Sequence, residues 1–119
     1  MQVQVNAGNG IENKESLERW AVQHLDEALV HFRQDITRVE LQLSDENGAA
    51  KGAADLRCTL EARLANHQPV AATHHAANQD LAIRGATDKL RHLLEHTLGK
   101  IAHKRDRESI RTGNALAPE

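Results

Sequence analysis

Thr37-Arg38-Val39-Glu40-Leu41-Gln42-Leu43-Ser44 carries an apolar side chain at every second position from Val39 to Leu43, the period of a strand with one face buried and the other wet. Leu56, Cys58, Leu60, Ala62 and Leu64 repeat that alternation against Arg57, Thr59, Glu61 and Arg63. Pro69 to His75 gives a weaker third run through Val70 and Ala72, with the proline at a strand start, where a missing N–H does least harm. Asp45-Glu46-Asn47-Gly48, extended through Ala54, and Asn66-His67-Gln68 read as the two hairpin turns between these runs. A sheet apolar on one side only must be covered on that side.

Two segments have the periodicity to cover it. After Asn13, a plausible helix cap, Leu17, Trp20, Ala21, Leu25, Ala28, Leu29 and Phe32 recur at spacings of three and four, predicting an amphipathic helix to about residue 33. After Asn78, a second cap, Leu81, Ile83, Ala86, Leu90, Leu93, Leu94, Leu98 and Ile101 predict another, with Gly99 weakening its last turn. At the start of the chain Gln2-Val3-Gln4-Val5-Asn6 alternates and suits a fourth strand before the break at Ala7-Gly8-Asn9-Gly10. The expected architecture is α+β, in the order β-α-β-β-β-α: a four-stranded sheet with both helices packed on one face. Residues 1–103 form the domain, and residues 104–119, which lack periodicity and contain Gly113 and Pro118, are expected to be a disordered tail.

The 119 residues suffice for one core. Trp20 and Phe32 are its only aromatic side chains, so aliphatic residues must supply most of the buried area. No apolar run approaches the roughly 20 residues of a membrane span, and the first residues do not form a signal peptide, so a cytoplasmic protein without a membrane partner is expected. The single cysteine, Cys58, falls at an inward strand position and reads as a small buried hydrophobe. The net charge of −2 is unevenly spread: residues 1–77 hold 7 Lys/Arg against 11 Asp/Glu, and residues 78–111 hold 8 against 5. That basic third also carries His92, His96 and His103, which add positive charge on mild acidification.

Catalytic chemistry finds little support. His92-Leu93-Leu94-Glu95-His96 matches the H-x-x-E-H pattern of some zinc peptidases, and imidazoles at i and i+4 share a helix face. The third ligand of such a site would be a downstream carboxylate, and the only glutamates that follow, Glu108 and Glu119, fall in the expected tail; the residues also fit the polar side of a helix whose Leu93 and Leu94 point inward. His74 and His75, neighbours on a strand, point to opposite faces. Gly8-Asn9-Gly10 lacks the rest of a phosphate loop. No enzyme activity, metal, cofactor or small-molecule substrate is expected. What remains is the basic series Arg84, Lys89, Arg91, Lys100, Lys104, Arg105, Arg107 and Arg111, which fits either a solvated helix face or a surface for nucleic-acid phosphates. With no aromatics on the open sheet face, any RNA recognition would work through shape and backbone instead of base stacking.

The element order and several local strings resemble the ribosome hibernation promoting factor and ribosome-associated inhibitor family, also called sigma-54 modulation proteins. The likeness runs from Met1 to about His103. It rests on Gln2-Val3-Gln4-Val5, Glu15-Ser16-Leu17, His31-Phe32, Thr37-Arg38-Val39-Glu40-Leu41 and above all Ala82-Ile83-Arg84-Gly85-Ala86-Thr87-Asp88-Lys89-Leu90, which is similar to the family's A-I-D-x-x-x-D-K-L with Arg84 in place of the first Asp. The resemblance implies a fold like that of double-stranded RNA-binding domains. It also implies a non-catalytic stress or stationary-phase factor that binds the small ribosomal subunit (16S rRNA) in the path of mRNA and tRNA. Lys89, Arg91 and Lys100 would be its rRNA phosphate contacts, with Arg84, His92 and Arg19 in support.

Three features depart from the family pattern. His24, Asp26 and Glu27 stand on the first helix where basic residues are usual, and His92 and His96 do so on the second; the usual tyrosine near the start of the second helix is absent. The residues after His103 leave no room for the dimerising domain of the long family form, so the short form, a monomer off the ribosome, is expected. The alternative from another class is a divergent protein-interaction module that no longer binds ribosomes.

Overall fold

The computed structural model describes residues 1–8, 10–46 and 55–113, with side chains as far as Gly99. The alternating runs become the strands β1 (Gln2–Ala7), β2 (Ile36–Asp45), β3 (Leu56–Leu64) and β4 (Val70–Ala76). They form one mixed sheet in the order β1-β2-β3-β4, with β1 parallel to β2 and the other pairs antiparallel. Register sets the faces: Val5, Leu41, Leu60 and Ala72 align across all four strands on the covered side. One position along, Asn6, Gln42, Thr59 and Thr73 align on the open side. A shift in pairing between Ile36 and Arg38 lets Ile36 point into the core with Val39 although their spacing is odd.

Helix α1 (Lys14–Ala28) and helix α2 (Gln79–Gly113) lie on the apolar side, as the one-sided pattern requires. Leu25 and Leu29 from the α1 segment meet Leu41, Leu43, Leu60, Ile83, Leu90 and Leu94 in a core with no measurable exposure beyond 1% at any of them. Cys58 is buried there too, and burial pushes its thiol up to about 12, which leaves it inert as a nucleophile. Ile11, in the loop before α1, also enters the core.

The helices differ from expectation in local ways. Asn13 precedes α1 in the left-handed conformation (φ 55°) and makes no side-chain cap; Glu15 in the first turn complements the positive end of the helix dipole. Asn78 does cap α2: its Oδ1 accepts the Leu81 amide at 2.8 Å. Helix α1 stops at Ala28 and tightens into a 3-10 turn at Val30–Phe32 before the chain enters β2. In α2 the buried stripe is Ala82, Ile83, Ala86, Thr87, Leu90 and Leu94, while Leu81 and Leu93 are 52% and 39% exposed. Leu81 and Ile83 stand about 200° apart around a helix, so one face cannot hold both. Thr87 is accommodated because its hydroxyl donates to the Ile83 carbonyl at 2.7 Å.

Helical backbone continues past His103 to Gly113, so the segment expected as a tail begins within α2. Residues 114–119, and the expected turn at Asn47 to Ala54, lie outside the described residues.

Candidate nucleic-acid interface

The open sheet face is dense with paired charge. Arg63 lies near both Glu40 (3.7 Å) and Glu61 (3.5 Å), Arg38 also pairs with Glu40, and the Thr59 and Thr73 hydroxyls meet at 3.1 Å. His75, on this face, meets the Asp55 carboxylate at 3.1 Å, while His74 takes the covered face, the division that strand alternation anticipates. The basic residues nominated from sequence lie instead on the helix layer.

There the structure separates them. Lys89 leans from α2 toward the sheet edge, its Nζ donating to the Thr73 carbonyl of β4 at 3.0 Å. Arg91, two residues on, turns about 200° to the opposite flank, where it lines a groove shared with the end of α1. His92 is exposed between them and, like Arg91, has no ion-pair partner among the described residues. Arg84 is engaged: its Nε donates to Asp80 at 2.8 Å, and its guanidinium sits 5.2 Å from the centre of the Trp20 ring. Arg19 is exposed, about 100° round α1 from Trp20, which marks the flank facing α2. Lys100 lies beyond the residues whose side chains are described.

The seam between the helices holds the one aromatic stack among the described residues. His24 lies over Trp20 with ring centres 4.9 Å apart and planes 5° off parallel. Burial, and secondarily the Arg84 charge, holds the His24 imidazole below its usual pKa. Neither Trp20 nor this stack was nominated from sequence as part of a site; adjacency of the two helices was the signal that could have found it.

Charge on the helix layer has no positive excess where side chains are described. Lys14, Arg19, Arg33, Arg84, Lys89 and Arg91 are outnumbered by one by Glu15, Glu18, Asp26, Glu27, Asp80, Asp88 and Glu95. The positive excess of the last third enters the sequence from Lys100 onward, on the continuation of α2. No group of three or more His, Cys, Asp or Glu among the described residues is placed to hold a metal ion, and His92 and His96 stand as a pair.

The family model for the Sigma 54 modulation protein / S30EA ribosomal protein family matches residues 4–102. The chain belongs to that family. Its fold is similar to the N-terminal domain of Thermus thermophilus Protein Y, with a TM-score of 0.65 at 15% identity over 82% of this chain and 99% of that one. A ribosomal subunit interface protein from Coxiella burnetii is similar with a TM-score of 0.53 at 16% identity, over 87% of this chain and 99% of that one. At such identities the likeness is one of fold. A comparison with curated proteins finds no match. Within this S30EA-family chain, the string Ala82 to Leu90 that carries the resemblance forms the first turns of α2, where Ala82, Ile83, Ala86 and Leu90 are core and Arg84 and Lys89 emerge on either side.

Proposed function

We propose that this protein is a ribosome-associated hibernation factor, a non-catalytic inhibitor that binds the small subunit in the mRNA and tRNA path under stress or in stationary phase. The observation that carries this reading is the family match over residues 4–102, on a chain whose fold is that of a ribosomal subunit interface protein. Residues 1–103 act as the ribosome-binding unit in the cytoplasm, and the protein is monomeric when off the ribosome. No described helix is long and apolar enough to cross a membrane.

The contact to 16S rRNA runs along α2 and is made chiefly to phosphates. Lys89, Arg91 and Lys100 supply the charge, with His92 outermost between the first two. Arg84 is held by Asp80 and Trp20 and orders the start of α2 more than it meets phosphate, and Arg19 touches RNA only if the outer side of α1 is also covered. Such recognition is largely Coulombic and driven by counterion release. Sedimentation of a stationary-phase lysate through a low-salt sucrose gradient tests the reading. Co-migration with small subunits or whole ribosomes is the expected result, and retention at the top of the gradient would refute it.

A further inference from the structure

Where the last turn of the α1 segment faces α2, a groove of about 730 Å³ opens, within the range of roughly 300 to 1,000 Å³ usual for binding clefts. Its apolar surface comes from Val30, Phe32 and Leu98. Val30 is 48% exposed, while Phe32 and Leu98 are half-buried against the core, so folding leaves this patch only partly covered. Glu27, Asp35 and Glu95 line the same groove. None of the three has a Lys or Arg partner among the described residues; Glu27 accepts only the Gln23 amide at 3.5 Å. Against them the groove sets Arg91 and His31.

Three carboxylates around an apolar patch repel a phosphate backbone and attract cations. A surface with both properties is complementary to a chain segment that offers one large apolar side chain between basic ones. We infer that this groove docks a short basic segment of a partner protein, one leucine-sized side chain resting on Val30, Phe32 and Leu98 and flanking lysines or arginines turned to Glu27, Asp35 and Glu95. Arg91 offsets at most one of the three carboxylates, which leaves the groove net negative toward incoming cations. The groove shares Arg91 with the proposed rRNA contact, but its apolar patch and its carboxylates Glu27 and Asp35 come from the α1 side and lie on the opposite flank of α2 from Lys89.

The test is amide-resolved NMR of the full chain titrated with three blocked hexapeptides, KRLLKR, KRGGKR and EDLLDE, and with hexauridylate as the RNA counterpart. KRLLKR is expected to give saturable shifts at Ala28, Val30, Phe32 and Leu98, with KRGGKR and EDLLDE at least about tenfold weaker. The exposed pair of changes Glu27→Lys and Glu95→Lys should weaken KRLLKR by about tenfold or more, and Val30→Ser, which leaves the charges in place, should also weaken it. Equal affinity for KRLLKR and EDLLDE, or for KRLLKR and KRGGKR, would overturn the proposal. So would hexauridylate shifting the α1-side amides Ala28, Val30 and Phe32, or KRLLKR shifts confined to other elements.

Discussion

At Gly85 the backbone of α2 lies directly against the imidazole of His74, so closely that a Cβ there would overlap the ring. His74 shares the covered face of the sheet with Cys58, its partner in register, and is half-buried there. Gly85→Ala gains about 1 kcal/mol of helix propensity but must displace that ring, an overpacking penalty of about 1 to 3 kcal/mol. Net destabilisation is expected in urea unfolding. In a His74→Ala background the same change should become neutral or stabilising, and equal effects in both backgrounds would show that the two residues are not coupled.

His24 supplies a second test at this scale. Its imidazole is held below the ordinary value of 6.5 in the folded chain, first by burial and then by Arg84, so the unfolded chain binds the proton more readily. Asp80, Asp88 and Glu27 act in the opposite sense and are outweighed. The contribution of neutral His24 is therefore present above pH 6.5 and is lost as pH falls below it. Acidification should lower stability and change the emission of Trp20, the only tryptophan, which stacks on this ring. His24→Gln should remove both responses; a variant that keeps them would place the titrating group elsewhere.

Among the elements, the strands were the most legible, because a period of two admits only one assignment of faces. Leu60 is fully buried in β3 and Glu61 beside it points to the open face. Leu60→Asp buries an unpaired carboxylate at a penalty of several kcal/mol, against the roughly 5 to 15 kcal/mol that holds a domain together, and should unfold it. Glu61→Lys removes an exposed ion pair with Arg63 worth about 1 kcal/mol or less, so its thermal midpoint should stay near the parent's.

The helices were legible in existence and less so in rotation and ends. Their periodicity tolerates a shift of one residue, which is why Leu81 and Leu93 were expected inside and are exposed. Asn13 and Asn78 look alike as letters, yet only Asn78 has a backbone that lets its side chain reach back to the helix. Asn78→Ala should destabilise by about 1 kcal/mol. Asn13→Gly, at a left-handed residue whose side chain caps nothing, should not destabilise; a loss like that of Asn78→Ala would mean that Asn13 caps after all.

On the scale of the whole molecule, the charge asymmetry was legible and its distribution was not. Helical geometry spreads Lys89 and Arg91 to opposite flanks of α2, and Asp80 occupies Arg84, so residues close in sequence do not make one patch. The acidic groove was invisible for the same reason: Glu27, Asp35 and Glu95 come from three separate segments. The polar stretch that carries the family resemblance proves to be mostly core contacts of α2, which explains why it identifies the fold better than it identifies the surface that meets RNA.

The central claim, that α2 carries the chain to ribosomal RNA through phosphate contacts, is tested most directly by binding to purified small subunits across a salt series. The triple change of Lys89, Arg91 and Lys100 to Ala should remain folded, bind more weakly, and lower the slope of log affinity against log salt by about 0.7 to 0.9 for each contact removed. A triple variant with the affinity and salt slope of the parent would contradict the account.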